Sequence, residues 1–421
     1  MTKNNLVHRS QHCLSRVLGH ATELEIEKGQ GSYLIDYDGN KYLDFGAGIA
    51  VNATGHCHPD VVAAIQHQST QLLHGCAGVI YYDQNITLAE QIGAITGDDL
   101  SSVFFTQSGT EAVEAALKCA TYVRNKKQII AFKGSFHGRT LGSLSVTTSN
   151  EKYLERYPLA FSDRIILDYP YYLNNPAPLN TENGYLNYLD AELQKIDHTK
   201  VAAIIIEPVL GEGGYVPASP SVLQRLRDWC NDTGVLLIFD EIQSGIGRTG
   251  HWFCYQHHGV SPDILTTAKG IASGLPLGAC ISTQDIMNQW TTGSHGGTYG
   301  GNPLACVAGS ATLQVLEPRL STIQALGNLA MTVLKDALSD HKNVAEIRGI
   351  GLMIGIEFVT DNGLPAPDIV STIRERCLAA NLLLVSCGTH GNVIRLMPPL
   401  TISDAELNAG LGIFISQCQQ L

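Results

Sequence analysis

The sequence predicts an α/β core with a mostly parallel central sheet flanked by helices, followed by a smaller α+β domain from about residue 305. Three observations predict this. Short apolar runs alternate with amphipathic stretches through the middle of the chain. Those runs are near-continuous, as expected of strands buried on both faces of a parallel sheet. The two ends carry a different pattern, rich in short strand-like stretches.

Taken in order, residues 33–45 read as a hairpin around an Asp38-Gly39 turn. Val113, Ala116, Leu117, Ala120 and Val123 share one face of a helix, with Glu114 and Lys118 paired at i,i+4 opposite. Gln128–Phe132, Val201–Glu207, Leu236–Asp240 and Ile264–Ala268 read as strands, and Ser221–Asp232 as a helix between two of them. Right-handed crossovers then follow. The Pro- and Asn-rich stretch 170–187 reads as a surface excursion. Residues 344–358 and 382–396 suggest strands, with a helix near 366–380.

Composition narrows the class. The chain has 421 residues, is 44% hydrophobic and 16% charged, and holds 42 glycines, which suits a globular enzyme rich in tight turns. Twenty-seven basic against 39 acidic side chains give a formal charge of −12, which argues against nucleic-acid and anionic-membrane partners. The 11 cysteines show no C-x-x-C spacing, and Cys119, Cys280 and Cys306 sit in apolar settings as small core residues. That usage suits a reducing compartment. With no apolar leader and no run approaching a membrane span, a cytoplasmic location is expected.

Seven stretches carry chemistry. The run ending at Asp240 and the run ending at Lys269 place an acid and a lysine at the ends of nearby strands. This pair suits pyridoxal phosphate: the lysine can bind the cofactor aldehyde, and the acid can keep the pyridine nitrogen protonated. The same two residues also read as a strand-end carboxylate and a surface lysine. Ser108-Gly109-Thr110-Glu111 opens a helix, where free N–H groups and a bare glycine can cradle a phosphate, or it is a capping box serving only the helix. Phe136-His137-Gly138-Arg139 offers a ring to stack on a flat cofactor and a guanidinium to clamp a carboxylate, or is a polar loop. Gly211-Glu212-Gly213-Gly214 is a mobile or tightly turned loop past a strand end, where α/β sheets bind ligands; a solvated acid is the plain alternative. Gly297-Thr298 lies in a turn-rich run with a hydroxyl donor. Arg395 is a lone charge in an apolar strand, so it needs a partner or ligand, or reaches solvent from an edge.

Two decoys are set aside. Gly245-Ile246-Gly247-Arg248-Thr249-Gly250 matches a dinucleotide fingerprint, but it begins well past the strand end and no helix-like run follows. His56-Cys57-His58 and His257-His258 are adjacent residues whose side chains diverge, so no metal site is expected.

In this order S-G-T-E-A (108–112), F-H-G-R-T (136–140), E-P-V-x-G-E-G-G (207–214), D-E-I-Q-S-G (240–245), A-K-G (268–270) and G-G-T-Y-G-G-N-P (296–303) resemble the class III aminotransferases of pyridoxal-phosphate fold type I. The likeness runs from Gly46 to Arg395 and is greatest to the 4-aminobutyrate aminotransferases, through Glu212 and the run from Leu383 to Arg395. It implies a large cofactor-binding domain over 59–304 and a small α+β domain built from both chain ends, 1–58 and 305–421. By resemblance Gly109 and Thr110 bind the cofactor phosphate, with Thr298 contributed by a partner subunit in a homodimer or dimer of dimers. Phe136 and Ile242 flank the ring, His137 belongs to the cofactor site, Asp240 meets the pyridine nitrogen, Gln243 lies near the ring oxygen and Lys269 carries the cofactor. Ile49, Arg139, Glu212 and Arg395 would handle the substrate. The implied reaction moves the terminal amine of 4-aminobutyrate to 2-oxoglutarate. An acetylornithine or other ω-amino-acid transaminase is the near alternative; an aminomutase or a non-catalytic cofactor-binding protein stands further off. Leu210 departs from the family's usual glutamine, and Gln107-Ser108 from its usual hydroxyl pair. Both bear on substrate preference rather than on the reaction.

Overall fold

The computed structural model describes residues 5–97 and 100–421. Its centre is a seven-stranded sheet of β1 (Ser102–Thr106), β2 (Gln128–Phe132), β3 (Ile165–Leu167), β4 (Val201–Ile206), β5 (Leu236–Asp240), β6 (Ile264–Thr267) and β7 (Gly278–Ser282), in the order β1-β7-β6-β5-β4-β2-β3. Neighbouring strands from β6 to β3 are parallel. Only β7 runs opposite, antiparallel to both β6 and β1. Every residue of β4 and β5 is buried. Leu237 and Phe239 join the core on one face, Leu236 and Ile238 the core on the other. This two-sided burial is why the strands read as continuous apolar runs.

Helix α1 (Gly109–Arg124) lies on one face against β6 and β7. Its buried side is mostly small (Ala112, Ala115, Ala116, Cys119, Ala120), which lets the helix approach the sheet closely. It ends at Asn125 in the left-handed region.

Two of the sheet's strands carry weak sequence signals. β3 is three residues long and β7 is Gly-Ala-Cys-Ile-Ser, without the β-branched enrichment that marks the others. The stretch 170–187 is not simply a surface excursion. Tyr171 donates to the Glu357 carboxylate, and Tyr185, in the helix Glu182–Lys195, is fully buried. Apolar ring area outweighs the turn-forming residues around it.

The chain ends meet. Tyr33–Asp36 and Lys41–Asp44 form the expected hairpin, with Gly39 at φ 85° in its turn. Lys41–Asp44 then pairs in parallel with Leu382–Leu383, so one sheet draws on both ends. A second sheet joins Val344–Ile350, Met353–Phe358, Val393–Leu396 and Val385–Cys387, all antiparallel. The expected helix near 366–380 spans Pro367–Ala379.

Candidate active site

Six strands share one direction, and their carboxyl ends open onto a cavity of about 540 Å³. β1 leads to Gln107–Thr110, β2 to Phe136–Thr140, β4 to Glu207, β5 to Asp240, Ile242, Gln243 and Ser244, and β6 to Ala268-Lys269; all line the cavity. Leu275, Pro276 and Leu277 enter from the start of β7, which runs the other way and so presents its amino end here. The strand-end position expected for ligand-binding groups in α/β sheets is the one these residues occupy.

Asp240 is 4% exposed and its carboxylate is fully engaged. Oδ2 meets His137 Nδ1 at 2.7 Å, and Oδ1 accepts from the Ile242 N–H at 3.1 Å and from Thr266 Oγ1 at 3.3 Å. His137 is itself buried, its N–H donating to Thr147 Oγ1, and its Nε2 has no partner among the described residues. Lys269 follows β6 with φ 44°, a left-handed conformation that a non-glycine residue holds only when its surroundings demand it. Burial pushes its amine below the usual lysine range, reinforced by Arg395 and opposed by Glu212, Asp240 and Glu207. Lowering the pKa of a lysine amine enlarges its neutral fraction, the form that can attack or take a proton.

The amino end of α1 closes one side. Ser108 Oγ caps the helix by accepting from the Glu111 N–H, and Thr110 Oγ1 lies 2.7 Å from Ser143 Oγ and 2.9 Å from Thr140 Oγ1. A Cβ on Gly109 would come within 2.9 Å of Ile242 Cγ2, so the bare glycine keeps this helix end open beside Ile242. Phe136 also lines the cavity, and the exposed Arg139 holds its guanidinium carbon 5.9 Å from the Phe136 and Tyr153 ring centres. Among the described residues no carboxylate forms an ion pair with Arg139.

Arg395 does have a partner. It is 3% exposed, and its Nη1 lies 2.6 Å from Glu212 Oε1. Burial alone would lower the guanidinium pKa, but the Glu212 carboxylate outweighs it and the group stays charged. Its Nε has no acceptor among the described residues. Gln243 Oε1 accepts from Tyr215 Oη at 2.6 Å, which fixes the amide's orientation in the cavity wall.

Arg395 is not itself among the lining residues and meets the cavity through Glu212; two other predicted residues stand apart. Ile49 is exposed at φ 64° and does not line this chain's cavity, although nearby Val51 does. Thr298 is exposed and lies outside the cavity of its own chain. The decoys resolve into structure: residues 241–250 form turns without a helix opening at Gly250, His56 Nε2 sits 2.8 Å from Asp44, and His257 Nε2 lies 2.9 Å from the Thr249 carbonyl.

Glu207 is the main residue that the sequence reading passed over. It ends β4, is 5% exposed, and accepts from the Phe136 N–H at 2.7 Å and the Gly211 N–H at 2.5 Å. Burial pushes its carboxyl up to about 7, with His137 opposing and Asp240 adding to the rise. The signal was the strand-end acid in Ile206-Glu207-Pro208, overshadowed by the glycine-rich run after it.

This donor set fits pyridoxal phosphate. A buried acid stands at the cavity wall with His137 locked onto it, a lysine with a depressed pKa faces the same space, and an uncovered helix end with hydroxyls can receive a phosphate.

Comparison with known proteins agrees. Residues 16–418 match the family model described as aminotransferase class-III. The chain is 38% identical to the 5-aminovalerate aminotransferase DavT of Pseudomonas aeruginosa and 37% identical to the 4-aminobutyrate aminotransferase GabT of Escherichia coli, in both cases over 99% of this chain and 98% of the relative. It is 39% identical to an acetylornithine aminotransferase of Clostridium acetobutylicum over 92% and 94%. An ornithine aminotransferase structure from Toxoplasma gondii superposes with a TM-score of 0.88 at 29% identity, covering 100% of this chain and 96% of that one. With the cavity's lysine, acid and helix end in place, the chain belongs to the class III aminotransferases and is a pyridoxal-phosphate-dependent transaminase of fold type I.

Proposed function

We propose that this enzyme takes the terminal amine of 4-aminobutyrate and gives it to 2-oxoglutarate, yielding succinate semialdehyde and glutamate. It would act in the cytoplasm as a homodimer or a dimer of dimers, with Thr298 of each chain reaching its neighbour's site. The large domain would span 59–304, and the small one 1–58 with 305–421. The observation that carries the donor assignment is the Glu212–Arg395 ion pair, set in the same site as an arginine, Arg139, that has no carboxylate of its own.

When bound, pyridoxal phosphate supplies an aldehyde that takes up amino groups and a ring that stores the electrons left when a carbon loses its proton. The protein's residues do the rest. Lys269 Nζ, its pKa lowered by burial, takes the proton from the amine-bearing carbon and returns it as general acid. Asp240, oriented by His137 and Thr266, presents a carboxylate to a ring nitrogen. Phe136 and Ile242 form apolar walls, and Gly109 and Thr110 offer N–H and hydroxyl groups to a phosphate. Arg139 holds the carboxylate far from the reacting amine, which 4-aminobutyrate and glutamate share. Arg395 holds the carboxylate beside the reacting carbon, which only glutamate and 2-oxoglutarate possess. With 4-aminobutyrate in place Arg395 would be a buried, unpaired charge, and Glu212 neutralises it.

Single-turnover absorbance changes test this. Glu212→Gln is expected to slow the half-reaction with 4-aminobutyrate more than that with glutamate, and Arg395→Ala to do the reverse. Equal losses in both half-reactions for both variants overturn the switch. A donor panel of 4-aminobutyrate, 5-aminovalerate and acetylornithine, followed by glutamate formation from 2-oxoglutarate, tests the donor itself. The names of the relatives favour the other two as alternatives, and a preference for either replaces 4-aminobutyrate in the assignment.

A further inference from the structure

The glycines around Glu212 suggest a flexible loop, but its backbone is held from three directions. The Glu207 carboxylate accepts the Gly211 N–H at 2.5 Å. The Gly388 N–H donates to the Glu212 carbonyl at 2.8 Å. Arg348 grips the Gly214 carbonyl with both Nε, at 3.0 Å, and Nη2, at 2.7 Å. Between these points a Cβ on Gly213 would stand 2.4 Å from the Gly134 carbonyl oxygen and from Leu210 Cδ2. The glycines serve close packing here, and the backbone is pinned at Gly211, Glu212 and Gly214.

We propose that Arg348 is a positioning residue that sets where the Glu212 carboxylate stands, and through it the choice between monocarboxylate and dicarboxylate amines; this rests on the function proposed above. Arg348 is 6% exposed in the strand Val344–Ile350. Its Nη1 pairs with Glu357 at 2.6 Å and Glu346 at 2.7 Å, and its Nη2 donates to Tyr171 Oη at 2.8 Å. Glu357 in turn accepts from Asn392 Nδ2 at 3.2 Å. Asn392 directly precedes the strand Val393–Leu396, which carries Arg395 and pairs with Met353–Phe358, the strand of Glu357. One sheet therefore holds both halves of the ion pair: Arg395 on a strand, and Glu212 at a distance set by Arg348. A guanidinium fork can hold a carbonyl with two donors and a carboxylate with a third at once, which no lysine can.

The test compares single-turnover rates with 4-aminobutyrate and with glutamate in holoenzyme carrying Arg348→Lys. That change keeps a cation for Glu357 and loses the two-donor grip on the Gly214 carbonyl. The expected result is a fall of about tenfold in the 4-aminobutyrate rate relative to the glutamate rate, the scale of losing charge-assisted hydrogen bonds. An unchanged ratio, or equal loss in both half-reactions, overturns the proposal, since a merely structural role would move both together. If Arg348→Lys does not fold, Tyr171→Phe decides: it removes the hydroxyl that accepts from Arg348 Nη2, and the ratio must shift the same way. Glu212→Gln is measured beside them. If it is asymmetric while the Arg348 and Tyr171 variants are not, only the role of Arg348 falls; if Glu212→Gln is itself symmetric, the donor switch and this inference fall together.

Discussion

Asp240 accepts from or faces three groups within the protein, His137, Ile242 and Thr266, so its charge is positioned by the fold itself. Asp240→Ala removes the proposed ring-nitrogen partner and strands a buried histidine. It is expected to cut turnover by at least about 100-fold, on the scale of a lost acid–base partner, and to shift the cofactor's absorbance. Turnover close to that of the parent would show that another group meets the ring. Lys269 has a chemical test: borohydride reduction should fix the cofactor on Lys269, and Lys269→Ala should lose several orders of magnitude in rate. Labelling of a different lysine sinks the assignment. At this scale most of the site was legible, because Lys269, Asp240, Arg139, Glu212 and Arg395 each sit in a short motif with a chemical reason to be there. Glu207 and Arg348 were not. Their work is to hold backbone groups far away in sequence, and no local pattern announces a partner such as Gly214 for Arg348.

Helix α1 and the strands around it form the edge proposed to bind the cofactor, and Gly109, which lines the cavity, shows how one backbone position would serve it. Gly109→Ala is compatible with helix geometry and would raise intrinsic helix propensity by up to about 1 kcal/mol. The new methyl, however, would stand 2.9 Å from Ile242 Cγ2 and 3.0 Å from its Cδ1, driving that side chain toward the cavity. The expected outcome is a cofactor Kd at least about tenfold weaker, 1.4 kcal/mol, while the melting temperature of the cofactor-free protein changes little. Unaltered cofactor affinity would show that Ile242 has room to retreat. The elements themselves were readable in proportion to how periodic they are. β4, apolar throughout, and β5, apolar up to its terminal Asp240, came out within a residue of their observed bounds, and the face from Val113 to Val123 lies within α1. β7 escaped notice because a glycine, an alanine and a cysteine become a strand only by lying between β6 and β1. In the same way Leu382–Leu383 is defined by pairing with Lys41–Asp44 across the length of the chain.

For the molecule as a whole, two buried acids tie chain segments together and make stability depend on pH. Glu207 links the β4 end to the loops at Phe136 and Gly211. Glu241, fully buried, accepts from the Cys254 N–H at 2.5 Å and the Tyr255 N–H at 2.8 Å, and from Ser244 Oγ at 3.1 Å. Burial pushes the carboxyl of each up to about 7 from an ordinary 4.5; for Glu241 the hydrogen bonds from Cys254, Tyr255 and Ser244 only partly offset this. The sign follows from proton counting. Between 4.5 and about 7 the folded chain holds these protons and the unfolded chain has released them, so stability falls as pH rises. The contribution is full below 4.5 and lost as pH passes through about 7. Glu241 lies outside the cavity lining, so Glu241→Gln isolates the effect without touching the proposed chemistry. Gln carries no titrating proton and keeps one acceptor oxygen for the two N–H groups. The variant should be less stable than the parent at pH 5, where one of those groups loses its partner. Its stability should also fall less between pH 5 and 8, by about 1–3 kcal/mol, since each pKa unit is worth 1.36 kcal/mol. Thermal or urea unfolding at both pH values measures the two slopes. Parallel slopes would mean that Glu241 is ionised in the folded protein across this range and that its three hydrogen bonds outweigh its burial.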